Sequence, residues 1–200
     1  MACSSIMLFA TFLYADLVLA ALNSLGLRDN TIIVFTSDNG YHMGEHGHYQ
    51  KSTLFEDSDR IPLIISYPGM KSRGKTSNSI VEMIDLYPTL SQLAGIKTPG
   101  YISGRSFKKV LDDPNYKTRE SALSQVRGGY TLRTEKYRYT RWRKDGPNMT
   151  ELYDRLSDPQ EMNNLSGAQQ YGDLIKKLNK QLTDRIEGSA VAPKGLTVIK

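Results

Sequence analysis

Two hundred residues are enough to bury a sizeable core in one domain but short for a large two-lobed enzyme. Hydrophobic residues make up 39% and charged residues 24%, with 16 Gly and 8 Pro, which excludes disordered, collagenous and low-complexity chains. One cysteine, Cys3, excludes an internal disulfide framework, a thiolate zinc cluster and a CxxC redox pair, while 26 Lys and Arg against 21 Asp and Glu give +5, a mild bias toward anionic partners.

The chain opens on an apolar run, residues 6–10 with Phe12, Leu13 and Tyr14. No Lys or Arg precedes it and Asp16 interrupts it, so it reads neither as a targeting segment nor as a membrane span. Leu17, Val18, Ala21, Leu22 and Leu25 follow at helical spacing, and the helix should stop at Gly26. Residues 31–36 and 61–67 are continuous β-branched and aromatic runs, the pattern of strands buried on both faces in a parallel sheet flanked by helices. Between them lie more than twenty mostly polar residues holding all three His; a connection that long inside a domain is often functional.

Residues 84–95 predict a short helix, with Asp85 as its cap, Pro88 in the first turn and Gly95 just past the end. From about Ser121 the texture changes to short alternating strands at 122–126, 130–133, 137–143 and 151–154. An amphipathic helix around Leu174, Leu178 and Leu182 closes the chain. The order predicts an α/β part over 1–100 and a small α+β lobe with an antiparallel sheet over 101–200.

Asp38-Asn39-Gly40 falls just past the first strand, where open α/β sheets bind ligands. A carboxylate beside an amide oxygen suits a hard cation such as calcium or magnesium, and the same tripeptide is also a common turn. His42, His46 and His48 follow among glycines, as zinc ligands lacking evident partners or as a polar surface loop. Lys51 is a point charge for an oxyanion or a solvated loop lysine.

These blocks, in order, carry a resemblance. Residues 25–31, Phe35-Thr36-Ser37-Asp38-Asn39-Gly40, Gly44-Glu45-His46-Gly47, Lys51, Arg60-Ile61-Pro62-Leu63-Ile64 and Pro68-Gly69 come first. Ile84-Asp85-Leu86-Tyr87-Pro88-Thr89-Leu90, residues 93–96, Gly104-Arg105-Ser106, Glu151-Leu152-Tyr153-Asp154, Asp158-Pro159-Gln160-Glu161 and Asn163-Asn164-Leu165 continue the series. Over residues 17 to 185 the chain resembles the C-terminal half of the catalytic core of sulfatases in the alkaline-phosphatase-like superfamily. Residues 132–140 are similar to the iduronate-2-sulfatase-like branch.

The resemblance implies a sulfuric ester hydrolase acting on a sulfated carbohydrate or similar ester. Asp38 and Asn39 would be two ligands of a calcium ion, Lys51 would contact the ester's sulfate oxygens, and His46 would line the same pocket. A periplasmic, secreted or lysosomal setting goes with the family. Its nucleophile is a formylglycine made from the Cys or Ser of a C/S-x-P-x-R element, and that element is absent. Cys3 is followed by Ser4-Ser5-Ile6-Met7, and Ser157-Asp158-Pro159-Gln160-Glu161 lacks the Arg. The chain is therefore expected to be a fragment, inactive alone and in need of an N-terminal half that brings the nucleophile and the remaining metal ligands.

Two alternatives are weighed beside it. A phosphomonoesterase or phosphodiesterase of the same superfamily would use two metals, and Asn39 stands where such enzymes tend to hold a His. A basic binding module would use Tyr137-Arg138-Tyr139-Thr140-Arg141-Trp142-Arg143-Lys144 on nucleic acid, although strand alternation leaves neither face purely basic. The expected partner is a sulfate ester, with no nucleic acid and no membrane; Arg141 is a candidate contact to an acidic sulfated sugar.

Overall fold

The computed structural model describes residues 14–142 and 149–190; Cys3, the apolar run before Tyr14, and Arg143 and Lys144 lie outside the described residues. A helix over 14–24, α1, stops before Gly26 as its apolar spacing predicts. Strands β1 (Ile33–Thr36) and β2 (Leu63–Ser66) occupy the centres of the two apolar runs.

They pair antiparallel, Ile33 opposite Ser66 and Thr36 opposite Leu63, which corrects the parallel pairing expected of them. A continuous apolar run reports apolar neighbours on two sides but carries no strand direction. The chain reverses direction through the 37–62 loop, and Ile64 stays 61% exposed on the pair's outer face.

The predicted short helix forms as a 3-10 turn, Met83–Asp85, running into α3 (Leu86–Leu93), after the one-turn α2 (Glu56–Asp59). Gly95 lies beyond its end at φ 71°, a left-handed conformation in which a side chain would be strained. Asp85 takes part in capping the segment as expected, through a capping box with Glu82 at the 3-10 turn, but its carboxylate makes no cap bond to α3 itself. It is wholly buried and accepts from the Glu82 N–H at 3.0 Å, the Arg105 N–H at 2.6 Å and Arg119 Nε at 2.7 Å. Glu82 forms an ion pair with Arg119 at 3.0 Å and accepts from Arg185 at 2.5 Å and the Leu123 N–H at 2.8 Å. A buried acid here is stabilised by paired guanidinium groups that join the early part of the chain to the C-terminal sheet and helix.

That sheet is a four-stranded antiparallel meander of β3 (Ser121–Val126), β4 (Gly129–Thr134), β5 (Tyr137–Trp142) and β6 (Thr150–Asp154). The register aligns Leu123, Leu132, Tyr139 and Leu152 in one row across all four strands. Leu178 and Leu182 of α5 (Gly172–Ala190) pack on this row, with Leu174 at its margin, as their four-residue spacing predicts. Side chains alternate between faces, so Arg133, Arg138 and Tyr153 form the neighbouring row on the opposite face. A second core of Tyr67, Phe107, Val110 and Leu111 joins β2's end to α4 (Lys108–Asp112). No helix among the described residues is long and apolar enough to cross a membrane.

Candidate functional site

β1 ends at Thr36, whose hydroxyl donates to the Pro62 carbonyl at 2.8 Å, and the chain turns through 37–40. Ser37 Oγ donates to the Asn39 carbonyl at 2.8 Å, and the Gly40 N–H donates to the Ser58 carbonyl at 3.0 Å. A Cβ at Gly40 would fall 2.0 Å from the Asp57 carbonyl oxygen, so only glycine lets these two segments meet. The turn presents the Asp38 carboxylate to solvent with the half-buried Asn39 amide beside it. Among the described residues neither side chain has a hydrogen-bond or ion-pair partner. One carboxylate and one amide oxygen, both unengaged, fit the oxygen donor set of a hard divalent cation.

Residues 42–50 form a loop closed on itself. The His42 N–H donates to the Gln50 carbonyl at 3.0 Å and the Gly44 N–H to the His48 carbonyl at 2.9 Å. Tyr41 Oη donates to the Tyr49 carbonyl at 3.1 Å. These rungs return the backbone of Lys51 to the side of Tyr41, next to the turn that holds Asn39. Lys51 is exposed, and its ammonium has no partner among the described residues.

His46 sits in the left-handed region at φ 52°, and its ring stacks flat on Phe55 with centroids 3.8 Å apart. Non-glycine residues adopt that conformation at a cost of order 1 kcal/mol, borne here by a loop closed on both sides. His48 Nδ1 lies 3.3 Å from Gln50 Nε2. His42 is wholly buried, and its Nε2 lies 2.6 Å from Thr53 Oγ1. Burial pushes the His42 imidazole below its usual range; His46 and His48 push the same way, against Asp57 and Glu45. Hydrogen bonds from the backbone of Glu45 itself and of Met43 hold the Glu45 carboxyl down.

The loop is fastened to the C-terminal sheet immediately after it ends. Leu54 is buried, Phe55 meets the Tyr153 ring at 6.0 Å, and Glu56 enters an ion network under the Arg133–Arg138–Tyr153 row. Arg138 reaches Glu161 at 2.6 Å, Asp59 at 2.7 Å and Glu56 at 2.5 Å. Arg155 and Arg133 also contact Glu56, at 3.1 Å and 3.2 Å, and Glu161 accepts the Glu56 N–H at 2.8 Å.

Burial raises the Glu56 carboxyl, but the charges of Arg138, Arg133 and Arg155 outweigh it and hold the group down at about 2, against its usual 4.5. A folded value below the unfolded one gives stability that is complete above pH 4.5 and is lost as pH falls toward 2. The contribution is on the order of 3 kcal/mol. Urea unfolding followed from pH 7 to pH 2 should show that loss in the wild type and a much flatter profile in Glu56→Gln; equal profiles would contradict the assignment.

The expected basic strand is spent inside the molecule. Arg138 is the centre of that network, Arg141 Nη1 donates to Asn179 Oδ1 at 2.8 Å and Thr183 Oγ1 at 3.0 Å, and the Trp142 indole donates to Glu151 at 2.8 Å. Arg141 therefore packs on α5, which corrects its assignment as a sugar contact, and the binding-module alternative loses its described cations. Thr53, Phe55, Asp57 and Ser58 gather around the His loop without having been visible in any motif. The fold alone brings them there.

A family model described as N-sulphoglucosamine sulphohydrolase, C-terminal, matches residues 44–188, most of the chain. The chain belongs to the sulfatase family. It is 35% identical over 175 residues to an N-acetylglucosamine-6-O-sulfatase of Bacteroides thetaiotaomicron, covering 82% of this chain and 31% of that protein. It is also 35% identical over 185 residues to an ulvan-active sulfatase of Formosa agariphila, covering 84% of this chain and 36% of the relative. The solved structure of BT4656, in complex with its substrate D-glucosamine-2-N,6-O-disulfate, superposes with a TM-score of 0.80 at 33% identity over 90% of this chain and 39% of that one. This sulfatase segment thus spans about a third of the length of the curated relatives it matches. Its mixed α/β fold with antiparallel sheets is that of the C-terminal portion of those enzymes.

Proposed function

We propose that the segment supplies the cation turn and an anion-binding lysine to a sulfatase that hydrolyses sulfate esters of carbohydrates. Residues 1–100 would contribute the C-terminal part of the catalytic α/β core, and residues 101–200 the subdomain that braces it. The observation supporting this reading is that the Asp38 and Asn39 side chains and the Lys51 ammonium, at the two ends of the loop that follows β1, have no hydrogen-bond or ion-pair partner among the described residues.

Asp38 and Asn39 would hold a calcium ion through a carboxylate and an amide oxygen. When bound, the ion supplies positive charge against the oxygens of a transferring sulfuryl group. Lys51 would bind one of those oxygens with its ammonium and orient the ester, an interaction that strengthens as charge builds there. His46, held flat on Phe55, would line the pocket beside the sugar. The C/S-x-P-x-R element of a formylglycine precursor is absent from the 200 residues and Asp38 and Asn39 fill only part of a calcium shell, so the segment would be inactive until an N-terminal half provides the nucleophile and the remaining calcium ligands. Exposed Leu17, Val18 and Ile64 give that half an apolar surface to cover.

Grafting the segment in place of the matching part of the Bacteroides relative, and measuring sulfate release from 6-O-sulfated N-acetylglucosamine, tests the reading. Activity should appear in the graft and not in the segment alone. Lys51→Met should lower kcat/KM by about 10²- to 10³-fold, with Lys51→Arg recovering part of it. Hydrolysis by the segment alone, or a graft indifferent to Lys51, would sink the proposal.

A further inference from the structure

His42 takes no part in that scheme, yet the hydroxyl chain behind it favours one of its nitrogens as the carrier of the proton. Ser58 Oγ has one hydrogen and donates it to the Thr53 carbonyl at 3.0 Å or the Phe55 carbonyl at 3.2 Å. With that hydrogen donated to a carbonyl, threonine is the donor in the 2.5 Å contact between Thr53 Oγ1 and Ser58 Oγ, in which either hydroxyl could otherwise donate. Its oxygen then accepts from the next group along, His42 Nε2 at 2.6 Å. With the hydrogen on Nε2, a neutral imidazole has a bare lone pair at Nδ1.

That Nδ1 is buried and has no hydrogen-bond partner among the described residues, an uncommon state for a buried polar atom. One His42 ring nitrogen lies with one carboxylate oxygen of Glu45 and one of Asp57 inside a set whose members are all within 4.8 Å of one another. No ion pair joins the ring to either carboxylate among the described residues. One Glu45 carboxylate oxygen accepts the Met43 N–H at 2.5 Å, while the Asp57 carboxylate has no hydrogen-bond or ion-pair partner among the described residues, so the cluster keeps lone pairs that a cation would satisfy.

We propose that His42, Glu45 and Asp57 form a binding site for zinc or a similar first-row divalent ion, using ligands different from Asp38 and Asn39. One imidazole nitrogen and two carboxylate oxygens suit such an ion, and three protein ligands leave a fourth position open. The Nε2–H bond to Thr53 is the outer contact that orients a ligating imidazole. An ion here would clip the 42–50 loop to the segment whose Asp57 carbonyl abuts Gly40. It would thereby brace the loop between Asn39 and Lys51.

The test is calorimetric titration of the metal-free 200-residue chain with Zn²⁺, with Co²⁺ as a visible-absorbance probe of tetrahedral coordination. One ion per chain is expected, with affinity falling about tenfold or more in Glu45→Gln and in Asp57→Asn. Both carboxylates are exposed, so these variants avoid the packing loss of a His42 substitution. Asp38→Ala and excess Ca²⁺ should leave the titration unchanged, which separates this site from the calcium proposal. If the isolated chain aggregates, the same titration in the grafted enzyme reads the same affinity ratios. The absence of stoichiometric binding, an affinity untouched by both carboxylate variants, or an ¹⁵N spectrum showing Nδ1 protonated at neutral pH would each overturn the assignment.

Discussion

Replacing Arg138 with methionine is expected to destabilise the fold by about 3–5 kcal/mol, the range for removing one partner from a buried charge network. The guanidinium is 1% exposed and is shared among Glu161, itself 1% exposed, Glu56 and Asp59. Methionine fills similar volume but leaves three carboxylates converging on an apolar group, and Arg155 and Arg133 reach only two of them, Glu161 and Glu56. A domain of ordinary stability has roughly 5–15 kcal/mol in total, so the variant should be close to unfolding at 37 °C.

Urea denaturation should show a large drop in midpoint with an unchanged slope. A combined Arg138→Met, Glu161→Leu change should regain part of the loss, because it removes a stranded charge along with its partner. A shift below about 1 kcal/mol for Arg138→Met alone would mean that the network is solvated and does not hold the loop to the sheet. Since Phe55 and Glu56 follow directly on the loop carrying His46 and Lys51, the same variant should also loosen the proposed site.

How much of this was legible follows from where each determinant lies along the chain. The β3–β6 meander and α5 were readable because their signals are local: alternation in each strand, two-residue turns such as Glu135-Lys136, and leucines four apart on the helix. The direction of the β1–β2 pair was not readable, since apolar runs look alike whichever way the neighbouring strand points. Arg138 looked like one cation in an aromatic-basic strand, and nothing nearby announced partners 82, 79 and 23 residues away.

The site divides in the same way. Asp38 and Asn39 stand out in the sequence as a turn past a strand and Lys51 as a loop lysine, and the backbone rungs of the 42–50 loop bring the Lys51 backbone alongside Tyr41. His42 was only one of three loop histidines in the sequence. Its burial and its partners Thr53, Ser58 and Asp57 arise when the loop folds back against α2, a step no spacing rule encodes. Asp85 was read only in part: it forms the local capping box its position suggests, and the same carboxylate is also bound by a buried arginine 34 residues on, which nothing local announces.

The claim that the strand-end turn is a catalytic cation site meets its most direct test in the grafted enzyme carrying Asp38→Ala. Removing the only carboxylate of the turn takes away the charge that would hold calcium against the sulfuryl oxygens. Sulfate release, assayed with added Ca²⁺ and after chelation, should fall by about 10³-fold or more in kcat/KM, near 4 kcal/mol of transition-state stabilisation. Circular dichroism should stay that of the parent, because the exposed Asp38 side chain has no hydrogen-bond or ion-pair partner among the described residues. An Asp38→Ala graft that keeps parental activity, still dependent on calcium, would show that the ion is held elsewhere and that this turn is not its site.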